Sequence, residues 1–273
     1  MTTTGAALRV AAIVVALLAT TLLTHYVRGG KAIYFFEPHH IVWLFGASNT
    51  AFLAAMLLLL YRVARDGAAG VSLHASLLNL AAVAVRGVFV GGGHFGSSAF
   101  ALTEAALSLG AALALVLALH PATAARFALS AERPRAPRAP EDFPTAALAA
   151  GCVGWGVVAS LLSTNVDHLF RWICLAVSIY LEAGAVLPQR ALLLRTKRLP
   201  ALTAHALFLW ALSGALRLLL WVILLLEGEL HLWLMLGDFV HVALLADFVA
   251  LYVQSLAAGE LAGEGMAMGE LDV

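Results

Sequence analysis

Six ionisable residues stand inside apolar stretches of this chain: Arg86, Glu104, Glu182, Arg217, Asp238 and Asp247. A charged side chain at the centre of a membrane-spanning helix costs about 2.5–3.5 kcal/mol on insertion scales unless it is paired or hydrated. Two readings of the set are open: a water-accessible interior that binds something charged, or structural ion pairs within a bundle. Arg86 and Glu182 favour the first. Glu104 and Asp238, nearer the ends of their stretches, favour the second.

The two arginines share a pattern. Ser72-Leu73-His74-Ala75 precedes Arg86 and Thr203-Ala204-His205-Ala206 precedes Arg217, with Arg twelve residues after His in both. At ~1.5 Å per residue this lifts each guanidinium about 18 Å along a helix, past the middle of a hydrocarbon layer about 30 Å thick. Two guanidiniums at one depth match a carboxylate or phosphate through charge-assisted bidentate bonds, so the expected ligand is an anion. Glu182 is a candidate internal counter-charge: Arg–Glu pairs would hold the empty site, and an entering carboxylate would displace them.

Other reactive residue types carry less. His39, His40, His94, His168 and His231 lie in or near loops, where they either titrate between about pH 5 and 8 or are ordinary surface histidines. His25 and His120 sit at the ends of apolar stretches and read as interfacial. His241 follows Asp238 by three residues and shares its helix face, but without a third ligand nearby the metal signal is poor, and no metal or cofactor is expected. Cys152 and Cys174, both inside apolar stretches, read as packing residues. No nucleophile–base set or phosphate-cradling loop stands at meaningful spacing, so an enzyme is not expected. Gly91 to Gly93 follows a helix and lacks the strand-to-helix context of a nucleotide site.

The elements that position these residues follow from composition. The 273 residues are 62% hydrophobic and 12% charged, with a mean hydropathy of +0.94. Ordinary soluble domains carry about 25% charge. Apolar stretches of spanning length run from about Leu8 to Val27, Ile41 to Tyr61, Val71 to Val90, Ala99 to Leu119, Thr145 to Leu162, Leu169 to Leu187, Ala201 to Leu226 and Leu232 to Leu256. This predicts an all-α polytopic membrane protein with seven or eight crossings and the lipid bilayer as its surroundings. The Pro-, Arg- and Ala-rich stretch from Ser130 to Pro144 reads as an exposed linker. Net charge is zero with no continuous basic stripe, which argues against nucleic acid.

Basic residues set the orientation. Arg62, Arg65, Arg126, Arg133, Arg135, Arg138, Arg190, Arg195, Lys197 and Arg198 fall in alternate loops, against Arg28, Lys31 and Arg171 on the other side. The first set is expected in the cytoplasm, with the carboxyl tail. The chain then divides into an extra amino-terminal hydrophobic helix (1–37), a seven-helix core (38–256) and an acidic cytoplasmic tail (257–273). The 1–37 segment reads either as a retained spanning anchor or as a cleaved signal peptide; no clear small-x-small site follows it.

Ser178-Ile179-Tyr180-Leu181-Glu182, followed by Leu187-Pro188-Gln189, resembles the SIYLE…LPQ signature of the KDEL/HDEL receptor family, the ER lumen protein-retaining receptors. Ala69-Gly70-Val71-Ser72 with Arg86, Leu202-Thr203-Ala204-His205 with Trp221, and Leu245-Ala246-Asp247-Phe248 with Tyr252 are similar to further ordered anchors of that family. The extra first helix is similar to its longer, plant-like branch. The resemblance implies a seven-helix core of two parallel three-helix repeats, related to SWEET and PQ-loop transporters and cycling between cis-Golgi and endoplasmic reticulum membranes.

The implied ligand is the carboxyl-terminal tetrapeptide of lumenal proteins, with coat proteins as cytoplasmic partners. By position, Arg86 would clamp the peptide carboxylate; Arg217, three residues beyond the place of a family arginine and on nearly the same helix face, would join it. Glu182, Tyr180 and Trp221 would form the pocket and its proton network, and Asp247 would be the aspartate linked to transport. The sequence departs from the family pattern at several places. The first-helix histidine falls near Ala51 or Phe52, and the first-helix arginine near Leu44 or Phe45. The tyrosine and aspartate after Arg86 become Gly87 and Phe89, and a tyrosine–arginine pair becomes Ser213 and Gly214. The tail has four acids and no lysine. Alternative readings are a small-solute transporter, which Pro188-Gln189 fits, and an orphan relative that has lost peptide binding.

Overall fold

The computed structural model describes residues 38–91, 99–124, 143–162, 169–196, 198–226, 231–259 and 266–267. The 1–37 segment, most of the Ser130 to Pro144 linker and most of the acidic tail lie outside the described residues. Seven helices appear within them: α1 (Pro38–Asp66), α2 (Leu73–Gly91), α3 (Ala99–Leu119), α4 (Thr145–Leu162), α5 (Leu169–Leu194), α6 (Ala201–Leu226) and α7 (Leu232–Ala257). Six are long and apolar enough to cross a membrane; the apolar part of α2, Leu73–Phe89, is shorter.

Local chemistry sets where helices start and stop. Ser72 caps α2, its Oγ accepting the Ala75 N–H at 3.2 Å. Prolines stand at the first turn of α1 and immediately before α4 and α6, where a missing N–H costs nothing. α1 ends where Gly67 takes a positive φ of 93°, with its N–H on the Val63 carbonyl at 3.0 Å. α5 runs on through Pro188, seven residues beyond the apolar stretch that predicts it.

The helices pair in a closed pattern. α1 packs on α6, α2 on α5, α2 on α3, α1 on α3, α6 on α7 and α5 on α7, while α4 lies mainly against α5. Close approach depends on small residues, as membrane helices require. At Gly156 of α4 an added Cβ would stand 2.7 Å from the Val177 Cα of α5. The core between the helices is built on Phe52, Met56, Leu78, Leu115, Leu207 and Trp210, all nearly fully buried.

At the end of the bundle that carries Arg62, Arg190 and Arg198, the chain ties itself across loops. Gln189 donates from Nε2 to the Gly70 carbonyl at 2.8 Å and accepts the Ser72 N–H at 3.0 Å. His74 pairs with the Thr145 hydroxyl at 2.6 Å and His205 with the Tyr252 hydroxyl at 2.7 Å. Two short antiparallel strands, β1 (Arg198–Leu199) and β2 (Met266–Ala267), bring a piece of the carboxyl tail back to the loop before α6. Leu199 and Met266 are both fully buried there.

Candidate functional site

α5 is buried along most of its length, so a charge in its middle has no route to water. Glu182 is that charge, with a relative exposure of 0%. Its Oε2 accepts from Arg86 Nη2 of α2 and from Arg217 Nη1 of α6, the latter at 2.9 Å. Arg217 also donates from Nε to Asp238 Oδ1 of α7 at 2.9 Å, with Nη2 at 2.8 Å from the same oxygen. Asp238 Oδ2 accepts the Trp221 indole N–H at 2.7 Å. Arg86 reaches back to Asn49 Oδ1 of α1 at 3.2 Å, and its guanidinium lies 5.5 Å from the Phe52 ring centroid.

One connected chain thus runs Asn49, Arg86, Glu182, Arg217, Asp238, Trp221, drawing side chains from five helices. Every member is nearly or fully buried. Its two guanidiniums and two carboxylates balance. Removing water strengthens each contact, and the same low dielectric makes any unmatched charge here costly.

Helical spacing explains how few turns supply these groups. Arg217 and Trp221 are four residues apart on α6, so both meet Asp238 from one face. Asp238 and His241 are three apart on α7, and both are fully buried. The His241 ring stands edge-on to Trp210, 5.4 Å between centroids. It fits because residue 214 is glycine: an added Cβ would lie 2.9 Å from His241 Cδ2. The His241 ring lies against the Trp210 backbone, and Glu182 Oε1 has no hydrogen-bond partner among the described residues. Next to this cluster, Ser48 of α1 donates to the Ser213 carbonyl of α6 at 2.9 Å.

The structure brings together Arg86, Glu182, Arg217 and Trp221, all singled out in the sequence. Tyr180 lies apart from the ionic chain: its hydroxyl donates to the Trp233 carbonyl at 2.6 Å, and its ring meets Trp155 edge-on. Asp247 also lies elsewhere, accepting from Arg190 Nη2 at 3.1 Å, with both side chains partly exposed. Glu104 takes a local bond from Ser108, one turn along α3, at 2.7 Å. Asp238, which its place near a run end made the less informative acid, is central to the network. It lies in the second turn of α7, yet α5 and α6 cover it completely. Asn49 is an addition, and its signal was an amide within the apolar stretch of α1.

Cys152 and Cys174 are free thiols. Among the described residues no group of three His, Cys, Asp or Glu side chains could hold a metal ion. His231 stacks on Trp172, 4.8 Å between centroids, and meets Trp221 edge-on. His120 accepts the Ala122 N–H at 3.3 Å. His25, His94 and His168 lie outside the described residues.

A family model described as ER lumen protein retaining receptor matches residues 67–224, more than half of the chain and the part that holds Arg86, Glu182, Arg217 and Trp221. An ER lumen protein-retaining receptor of Drosophila melanogaster is 35% identical over 107 residues, 38% of this chain and 50% of that relative. The match therefore spans about half the length of the curated relative.

Proposed function

This chain belongs to the ER lumen protein retaining receptor family, is a receptor-type membrane protein and not an enzyme, and from that premise we propose that it binds the carboxyl-terminal tetrapeptide of escaped lumenal proteins. The observation that carries this reading is that Arg86 and Arg217, from different helices, both spend a donor on the single oxygen Glu182 Oε2. A peptide carboxylate offers the same two-oxygen acceptor. It takes the place of Glu182 on the guanidiniums, which keep their charge and geometry.

In this reading Arg86 and Arg217 grip the carboxylate, Glu182 is the displaced internal anion, and Trp221 orients the far side of Arg217 through Asp238. Tyr180 supports the pocket wall where α5 meets α7. Asp247, paired with Arg190 at the basic end, serves the transport step. The cargo is a KDEL- or HDEL-like signal, the route is retrieval from cis-Golgi to endoplasmic reticulum, and coat proteins meet the basic end.

We further read the core, 38–256, as two parallel three-helix repeats, α1–α3 and α5–α7, with α4 as the connection. What supports this is the pairing pattern. Exchanging α1 with α5, α2 with α6 and α3 with α7 turns the set of main helix contacts into itself. His74 and His205, and with them Arg86 and Arg217, fall at equivalent places on α2 and α6 under that exchange.

The test is binding of a free-carboxylate peptide ending in KDEL or HDEL to the purified full chain at pH 5.5 and 7.4, with the carboxyl-amidated peptide as control. Binding of the free acid, tighter at pH 5.5, with loss on amidation and in Arg86→Ala, is the expected result. Equal binding of acid and amide would refute the carboxylate grip. Uptake of a sugar or amino acid into proteoliposomes, with no peptide binding, would instead favour the transporter reading that Pro188-Gln189 fits.

A further inference from the structure

Far from the ionic chain, α6 and α7 leave between them an apolar groove of about 500 Å³. It opens on the face of α6 opposite Ser213, the residue that meets Ser48 of α1. Four alanines keep it open: Ala211 and Ala215 on α6, Ala246 and Ala250 on α7, each pair one turn apart. Phe208 forms part of its wall and is held by stacking on Tyr252, 4.5 Å between centroids. Gln254, at the basic end of the bundle, is the polar residue of the lining. In a bilayer an apolar surface gains nothing by itself, because lipid tails are as apolar as leucine. What favours a helix over lipid is close backbone approach at small residues spaced four apart.

The chain itself has a segment to offer. The apolar stretch from Leu8 to Val27 lies outside the described residues, and it leads into α1 at Pro38. α1 starts at the end of the bundle opposite Arg62, so a spanning helix ahead of it must run from the basic end toward that start, antiparallel to α7. The ten residues between Val27 and Pro38 reach about 33 Å when extended. Passing from α1 over the end of α6 to the groove takes two interaxial steps, about 16–20 Å. The connection is long enough.

Register points to the same place. Ala12 and Ala16 lie about 8 Å and about 2 Å toward the basic end from the middle of the Leu8 to Val27 stretch, at ~1.5 Å per residue. Ala250 and Ala246 lie about 8 Å and about 2 Å toward the basic end from the middle of α7. With the helices antiparallel, Ala12 meets Ala250 and Ala16 meets Ala246. Arg9 then comes level with Gln254, whose side-chain oxygen can accept from the guanidinium. We propose that the Leu8 to Val27 stretch is retained as a spanning helix and seats in the α6–α7 groove, Ala12 and Ala16 against Ala250 and Ala246. The seat ties the amino-terminal segment to the helix that carries Asp238 and leads into the tail.

Disulfide trapping in the full chain tests the seat and its register together. The matched pairs are Ala12→Cys with Ala250→Cys and Ala16→Cys with Ala246→Cys, each combined with Cys152→Ala, Cys174→Ala and a protease site in the Ser130 to Pro144 linker. After oxidation in membranes and cleavage, both matched pairs are expected to hold the two fragments together on a non-reducing gel. Ala12→Cys with Ala246→Cys is out of register by about 6 Å and is expected to join them several-fold less, since a disulfide needs Cα atoms within about 7 Å. Should these variants not accumulate, photo-leucine incorporated through the wild-type chain should link Leu212 in the groove wall to residues 8–27. Fragments that separate, equal joining in matched and mismatched pairs, or a mature chain whose mass lacks the stretch would overturn the proposal. So would an uncut species of twice the chain mass, which would give the groove to a second copy. The receptor reading stands under each of these outcomes.

Discussion

Glu182→Gln separates charge from shape at the centre of the network. The amide keeps the length of the side chain and one acceptor oxygen, and removes the anion shared by two arginines. In contacts of this kind the charge centres lie about 4 Å apart, where attraction is about 4 kcal/mol at an effective dielectric of about 20. Two arginines give about 8 kcal/mol before desolvation is counted. Withdrawing the carboxylate from water costs several kcal/mol, so the net loss on substitution should be about 3–5 kcal/mol, the range for breaking a buried pair. Tryptophan fluorescence during denaturant unfolding in detergent measures it, because Trp210 and Trp221 lie in or beside the cluster. The same substitution removes the internal competitor for the guanidiniums. Peptide affinity at fixed pH should therefore rise at least about tenfold, equivalent to about 1.4 kcal/mol of released competition. A variant within about 1 kcal/mol of wild-type stability and unchanged in affinity would refute both the charge lock and the displacement step.

Two further substitutions test the frame around the site. Gly156→Ala should destabilise the protein by about 1–3 kcal/mol through overpacking, because the new methyl meets backbone of α5 rather than a movable side chain, and the unfolding midpoint reads this directly. Gln189→Ala removes two buried hydrogen bonds to the α1–α2 turn. At about 0.5–1.5 kcal/mol each it should cost about 1–3 kcal/mol and raise amide exchange at Gly70 and Ser72, with little change in peptide affinity.

How much of this was legible in the sequence varies with the range of the interaction that decides it. The stretches Ala99–Leu119, Thr145–Leu162 and Ala201–Leu226 carry the same bounds as the helices, because apolar length alone decides a spanning segment. α5 outruns its stretch because hydropathy falls at Pro188, Gln189 and Arg190 while the helix goes on, Gln189 being satisfied by a turn more than a hundred residues away. α2 begins two residues later than its stretch because Ser72 serves as its cap. Within the site, Arg86, Glu182 and Arg217 stood out as charges with no local excuse. Asp238 and Asn49 did not, since their importance lies in which helix faces them. The β1–β2 pairing was invisible for the same reason: two-residue strands leave no periodicity, and their register depends wholly on tertiary contact.

The return of the tail to Leu199 gives the basic end of the bundle a threshold. Withdrawing a fully buried Met266 from its seat forfeits about 1.5–3 kcal/mol of apolar burial. A soluble protein that must grasp this part of the tail meets a competitor tethered beside it at all times. Its apparent affinity is lowered about 10- to 150-fold relative to the same peptide free in solution. Weak, unspecific capture of the tail is filtered out, and only a binder whose own grip exceeds that handicap gains hold.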